Sequence, residues 1–123
     1  MDRLPDCQVW SLRVISEFML TINESQIGAV TILECAGRLD VLTGPALDAK
    51  IPEGGILVLD MAELNYVSSA GLRSILQALK KLQLKGGSLR LSSLQPDVQR
   101  LLELSGFLSL VKSFPDKDSA AKA

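Results

Sequence analysis

The sequence predicts an α/β fold built on a largely parallel β-sheet. Three observations carry that reading. Ile56 to Leu59 is an unbroken apolar run closed by Asp60, which suits a strand buried on both faces as in a helix-covered parallel sheet. Just downstream, Leu72, Ile75, Leu76, Leu79 and Leu82 recur with helical spacing, while Arg73, Ser74, Gln77, Lys80 and Lys81 fall between them. Finally, strand and helix signals alternate along the chain as β-β-α-β-α-β-α-β, and alternation of that kind implies βαβ crossovers.

Taken in order, residues 1–18 are an N-terminal extension of uncertain structure, in which Trp10, Leu12, Val14, Ile15 and Phe18 follow neither period. Leu20 to Asn23 suits an edge strand and Glu24-Ser25-Gln26 a turn. Ile27 to Ala36, apolar on both faces, suits a more central strand paired to it as a hairpin. Gly37-Arg38-Leu39-Asp40 ends that strand. Thr43-Gly44-Pro45 opens a short helix, proline standing where its missing N–H costs nothing, and Pro52 and Gly54-Gly55 break it. After the central strand comes a short polar connection to Ser68-Ser69, the start of the amphipathic helix. Lys80, Lys81 and Lys85 oppose its negative end and Gly86-Gly87 stops it. Ser88 to Ser92 alternates strictly, with Leu89 and Leu91 on one face. Pro96 opens a helix in which Val98, Leu101, Leu102 and Ser105 share a face, and Gly106 ends it. Leu108 to Phe114 reads as a last strand, and 115–123 as a tail or frayed helix. The expected core is Leu57, Leu59, Leu72, Ile75, Leu76, Leu79, Leu89 and Leu91.

Composition removes several function classes. The 123 residues suffice for one domain with a real core, and the formal charge of −1 supplies no basic field for nucleic acid or anionic lipid. Histidine is absent, which excludes Ser-His-Asp and Cys-His catalysis and histidine-containing metal sites. Cys7 and Cys35 form no Cys-x-x-Cys and read as reduced thiols of a cytoplasmic protein. No segment reaches the roughly 18–20 apolar residues of a membrane span. The glycine pairs belong to no phosphate-cradling motif. Asp40, Asp60 and Glu63 could be imagined around Mg²⁺, but a lone carboxylate at a strand end is usually solvated or capping. The expectation is a non-enzyme without cofactor or metal.

Ser68-Ser69 is the stretch that carries chemistry. Serine before a helix is first of all an N-cap. The same place suits a phosphoryl group, which would face free N–H groups and the positive end of the helix dipole, with Arg73 one turn on.

Three segments resemble one family: Gly-Arg-Leu-Asp-Val-Leu-Thr-Gly-Pro-Ala-Leu at 37–47, Leu-Val-Leu-Asp-Met-Ala-Glu-Leu-Asn-Tyr-Val-Ser-Ser-Ala-Gly-Leu-Arg at 57–73, and Val-Gln-Arg-Leu-Leu-Glu-Leu-Ser-Gly at 98–106. Together they look like a STAS domain, the domain of anti-sigma-factor antagonists and of sulfate-transporter tails, here over residues 19–114. The resemblance implies a mixed, mostly parallel sheet with helices mainly on one face. It also implies partner switching: an anti-sigma factor that is a serine kinase phosphorylates a serine at the start of the central helix, and a PP2C-type phosphatase reverses it. On that pattern Ser69 is the expected phosphoacceptor, with Ser68 the other candidate. Arg38, Asp40, Thr43, Tyr66, Ser68, Ser69 and Arg73 are the expected partner-binding residues, in a monomer or weak dimer.

Two departures qualify the pattern. Well-studied antagonists read Asp-Ser-Ser-Gly, and an ungapped comparison puts Ala70 at their acceptor and Ser68 at their aspartate; Ser-Ser-Ala-Gly-Leu-Arg is itself a family variant. The helix after Asp40 is also shorter than usual. Other readings are a separate STAS subunit of a membrane transport complex or a regulator outside sigma control and, least supported, a nucleotide-binding protein.

Overall fold

The computed structural model describes residues 20–123; the expectation for residues 1–18 lies outside them. Strands β1 (Leu20–Ile27) and β2 (Val30–Leu39) form an antiparallel hairpin in which Ile27 faces Val30. The turn is therefore Gly28-Ala29, not Glu24-Ser25-Gln26, which are strand residues. Gly28 takes φ 60°, the positive value that the first position of a tight hairpin turn demands and that glycine adopts without strain.

Four segments follow: α1 (Gly44–Asp48), β3 (Ile56–Val67), α2 (Ser69–Leu84) and β4 (Ser88–Ser92). The chain ends with α3 (Pro96–Leu104), a 3₁₀ turn at Phe107–Ser109, β5 (Lys112–Phe114) and α4 (Lys117–Lys122). The sheet order is β1-β2-β3-β4-β5, with only the first pair antiparallel. The fold is thus mixed α/β and mostly parallel.

Alternate residues of the central strands serve two faces. Leu33, Leu57, Leu59, Leu89 and Leu91 pack on one side with Leu47 of α1, Ile75, Leu79 and Leu82 of α2, and Val98 and Leu102 of α3. Val30, Ile32 and Val58 point to the other, where Ala120 of α4 covers them.

Three expectations need correction, and the tail-or-helix alternative at the C-terminal end resolves to a helix. Helix α2 is rotated from its leucine stripe: Ser74 is buried, whereas Leu72 and Leu76 are only half-buried at the core margin. Small residues are buried along this side of the helix, Gly71 against the Leu39 backbone at the end of β2 and Ser74 against Gly44 of α1. Strand β3 does not give way to a connection at Asp60 but continues to Val67. The last strand is three residues long, since Phe107–Ser109 turns first to bury Phe107. Residues 117–122 form a capped helix, with the Ser119 N–H donating to Asp116 Oδ1 at 2.7 Å and the Arg90 guanidinium to the Ala120 carbonyl at 2.8 Å.

Candidate partner-binding site

The extended β3 delivers Ser68 and Ser69 to one end of the sheet. The Ser68 N–H donates to the Leu39 carbonyl at 3.0 Å, stitching the β3–α2 junction to the end of β2. Ser68, in extended conformation, is the N-cap: its Oγ accepts the Gly71 N–H at 3.1 Å. Ser69 is the first helical residue, and it is exposed. The two serines therefore differ: the Ser68 hydroxyl is engaged in the cap and the residue is half-buried, whereas Ser69 is exposed. Gly71 permits the junction, because a Cβ there would lie 2.2 Å from the Leu39 carbonyl oxygen. Gly44 does the same between α1 and α2, where a Cβ would lie 2.4 Å from Ser74 Oγ.

Beside this junction the β2–α1 loop is closed by its own polar groups. Asp40 Oδ1 accepts the N–H groups of Leu42 at 3.0 Å and Thr43 at 3.1 Å. Thr43 Oγ1 accepts the Asp40 N–H at 2.9 Å and donates to the Arg38 carbonyl at 2.8 Å. Desolvation raises the Asp40 pKa, but the Thr43 and Leu42 N–H groups, the Thr43 hydroxyl and the Arg38 charge outweigh it and hold the carboxyl below its ordinary 3.8. Arg38 Nε lies 3.7 Å from Asp40 Oδ2, and its guanidinium stacks 4.1 Å from the Tyr66 ring centroid.

Arg38, Asp40, Tyr66, Ser68 and Ser69 thus gather at one end of the sheet, and Arg73 is exposed on α2 one turn beyond Ser69. Thr43 is not at the surface: at 2% exposure it serves the loop from inside. Two residues escaped sequence reasoning. Val41 and Leu42 are 70% and 80% exposed on the closed loop, and Tyr66 is exposed as well. The available signal was a pair of apolar residues inside a loop punctuated by Asp40 and Thr43-Gly44-Pro45. A shallow groove of about 280 Å³ runs from Tyr66 and Val67 to Val98 and Leu101 of α3.

The carboxylates considered for Mg²⁺ separate. Asp40 caps its loop, whereas Asp60 and Glu63 lie midway along β3. Among the described residues, no three His, Cys, Asp or Glu side chains are grouped to hold a metal ion, and no helix is long and apolar enough to cross a membrane. Burial, aided by the Asp60 charge, pushes the Cys35 thiol up to about 12.

Comparison with known proteins agrees with the fold. Residues 21–120 match the family model of the STAS domain. BtrV of Bordetella bronchiseptica, which carries the name of an anti-sigma factor antagonist, is 43% identical over 67 residues, 54% of this chain and 58% of that protein. The chain thus spans little more than half of BtrV's length. The anti-sigma F factor antagonist of Paenibacillus polymyxa is 28% identical over 107 residues, 82% of this chain and 92% of that one. Among solved structures, an anti-sigma factor antagonist from Mycobacterium paratuberculosis superposes with a TM-score of 0.71 at 24% identity, covering 84% of this chain and 92% of that chain.

Proposed function

The chain belongs to the STAS domain family, and on that premise we propose that it is an anti-sigma-factor antagonist, a regulatory binding module switched by phosphorylation of Ser69. The observation that carries this reading is the exposed Ser69 hydroxyl on the first turn of a rigidly seated helix, with exposed Val41, Leu42 and Tyr66 at the same end of the sheet. An apolar surface around a small hydroxyl suits a docked protein face. The partner in this reading is a kinase-type anti-sigma factor, which binds the unmodified form and thereby releases its sigma factor; a PP2C-type phosphatase resets the switch.

The physics of the switch is local. Phosphorylation brings about −1.5 to −2 charges to this turn. The Ser69 and Ala70 N–H groups donate to no backbone carbonyl among the described residues, and the helix dipole is positive there, so the fold accommodates the phosphate. A docked partner does not, because it must desolvate that charge or leave a gap around it. Ser69 is chosen over Ser68 because the Ser68 hydroxyl already holds the Gly71 N–H.

Mass spectrometry after incubation with the cognate kinase and ATP tests the assignment, with phosphate expected on Ser69. Ser69→Asp is expected to melt within a few degrees of the wild type yet bind the anti-sigma factor far more weakly, while Ser69→Ala binds constitutively. Phosphate on neither serine removes the switch and leaves an unmodified binding module.

A further inference from the structure

Midway along β3 the ladder with β2 slips: Glu34 pairs with Asp60, but Ala36 pairs with Glu63. The extra residue makes a bulge, and bulges re-aim side chains. Met61 turns into the core, while Ala62 and Glu63 are both exposed. The Gln95 amide fixes the bulge by donating to the Ala62 carbonyl at 2.6 Å. The result is a cleft of about 220 Å³ lined by Asn23, Glu34, Ala36, Asp60 and Glu63 among others.

Asp60 is what makes this cleft more than a group of acids. It is only 8% exposed, and the hydrogen bond its carboxylate accepts from the described residues is a long one, from the Ala62 N–H to Oδ1 at 3.3 Å. Oδ2 accepts no donor from the described residues, and the residue lines the cleft. A carboxylate so placed keeps most of its accepting capacity for something entering the cleft. Lys117 shows which chemistry the place attracts. Its ammonium pairs with Glu34 at the rim, and its pKa is raised first by that hydrogen bond and charge and then also by Asp60. Among the described residues, these carboxylates do not group as metal ligands do.

We propose that this cleft is a recognition site for a basic side chain, arginine or lysine, presented by a partner protein. The entering cation donates to Asp60 Oδ2, faces the Glu63 charge, and leaves Glu34 to Lys117. Asp60 and Glu34 continue the sheet face of Val58 and Ile32, opposite the layer of α2. The site therefore stands apart from Ser69 and does not depend on its phosphorylation.

The experiment is an NMR titration of the full ¹⁵N-labelled chain with the blocked peptide acetyl-Gly-Arg-Gly-amide, set against its neutral citrulline counterpart at matched ionic strength. The arginine peptide is expected to give saturable shifts at Asp60, Ala62 and Glu63, and the citrulline peptide none. Asp60→Asn is expected to weaken binding about tenfold or more, as loss of a charge-assisted hydrogen bond does. Glu63→Gln, at an exposed position and so without risk to folding, is expected to weaken it about two- to threefold. Equal or non-saturating shifts with the two peptides overturn the proposal. So does wild-type affinity in Glu63→Gln, which decides the matter should Asp60→Asn fail to fold.

Discussion

Helices α2 and α4 cover opposite faces of the same sheet and are held by different forces. Helix α2 lays Ile75, Ala78, Leu79 and Leu82 into the core and starts on a cap bonded to the end of β2. Helix α4 buries the Ala120 methyl, with Ala121 partly buried beside it, and is otherwise tied by polar groups: the Asp116 cap, the Arg90 contact to its backbone and the Lys117–Glu34 pair. Apolar burial is indifferent to pH and salt in the ordinary range, whereas exposed ion pairs are weak and screened. The site sits on the helix whose seat does not depend on charge. In the proposed function, that is a reasonable place for a surface whose own charge would be switched.

The largest expected effect breaks the α2 side. Ile75→Ala should cost about 2–5 kcal/mol in urea unfolding, the range for large-to-small core changes. Leu76→Ala, at the half-buried margin, should cost clearly less, and equal costs would mean the helix face is misplaced. Next comes Gly71→Ala. Its methyl meets the Leu39 backbone, which cannot swing aside as a side chain can, so about 1–3 kcal/mol of strain is expected. The same change should displace the first turn and weaken partner binding. Ser68→Ala follows, with about 0.5–2 kcal/mol for the lost cap; kinase incubation should still modify Ser69.

What sequence could show follows the same division. The α2 segment and β4 were legible because their periods are unbroken. The second half of β3 was not: its inward residues Met61, Leu64 and Val67 are spaced by three, because two register slips against β2 each insert a residue. That spacing fits neither an alternating strand nor a helix face, so it read as a connection. Helix α4 was only half legible, as a tail or a frayed helix, for a related reason, since Lys-Asp-Ser-Ala-Ala-Lys carries no apolar stripe and docks by two small alanines. At the site, the Ser-Ser-Ala-Gly junction was visible as a helix start. Which serine caps was not, because it depends on where β3 ends. Nor was the exposure of Val41 and Leu42, which is set by the hydrogen bonds of Asp40 and Thr43 and not by the two residues themselves.

The smallest effect sharpens the comparison most. Hydrogen bonds from the Ser119 backbone and hydroxyl hold the Asp116 carboxyl below its ordinary 3.8. A depressed carboxylate contributes stability above its unfolded value and loses it as pH falls through the folded one. The Lys117 pKa lies above its ordinary 10.5 because of Glu34. A raised ammonium contributes fully below 10.5 and loses its contribution as pH rises through the folded value. Helix α4 therefore has a titrating tether at each end of the pH scale, acid through Asp116 and alkali through Lys117, and the contacts that seat α2 have neither. Methyl NMR of Ala120 and Leu79 across pH separates the two. On the acid side, below about 3.8, the Ala120 resonance should shift and broaden while Leu79 keeps its native position. On the alkaline side the buried Cys35 thiol, raised from 9.0 to about 12, already draws stability from the whole sheet above 9.0, so the Lys117 limb above 10.5 is read as Ala120 moving further than Leu79. Asp116→Asn should remove the acid limb for Ala120 alone. If Ala120 and Leu79 instead move together at every pH, the two helices share one cooperative unit, and the polar ties of α4 count for no more than its two alanines.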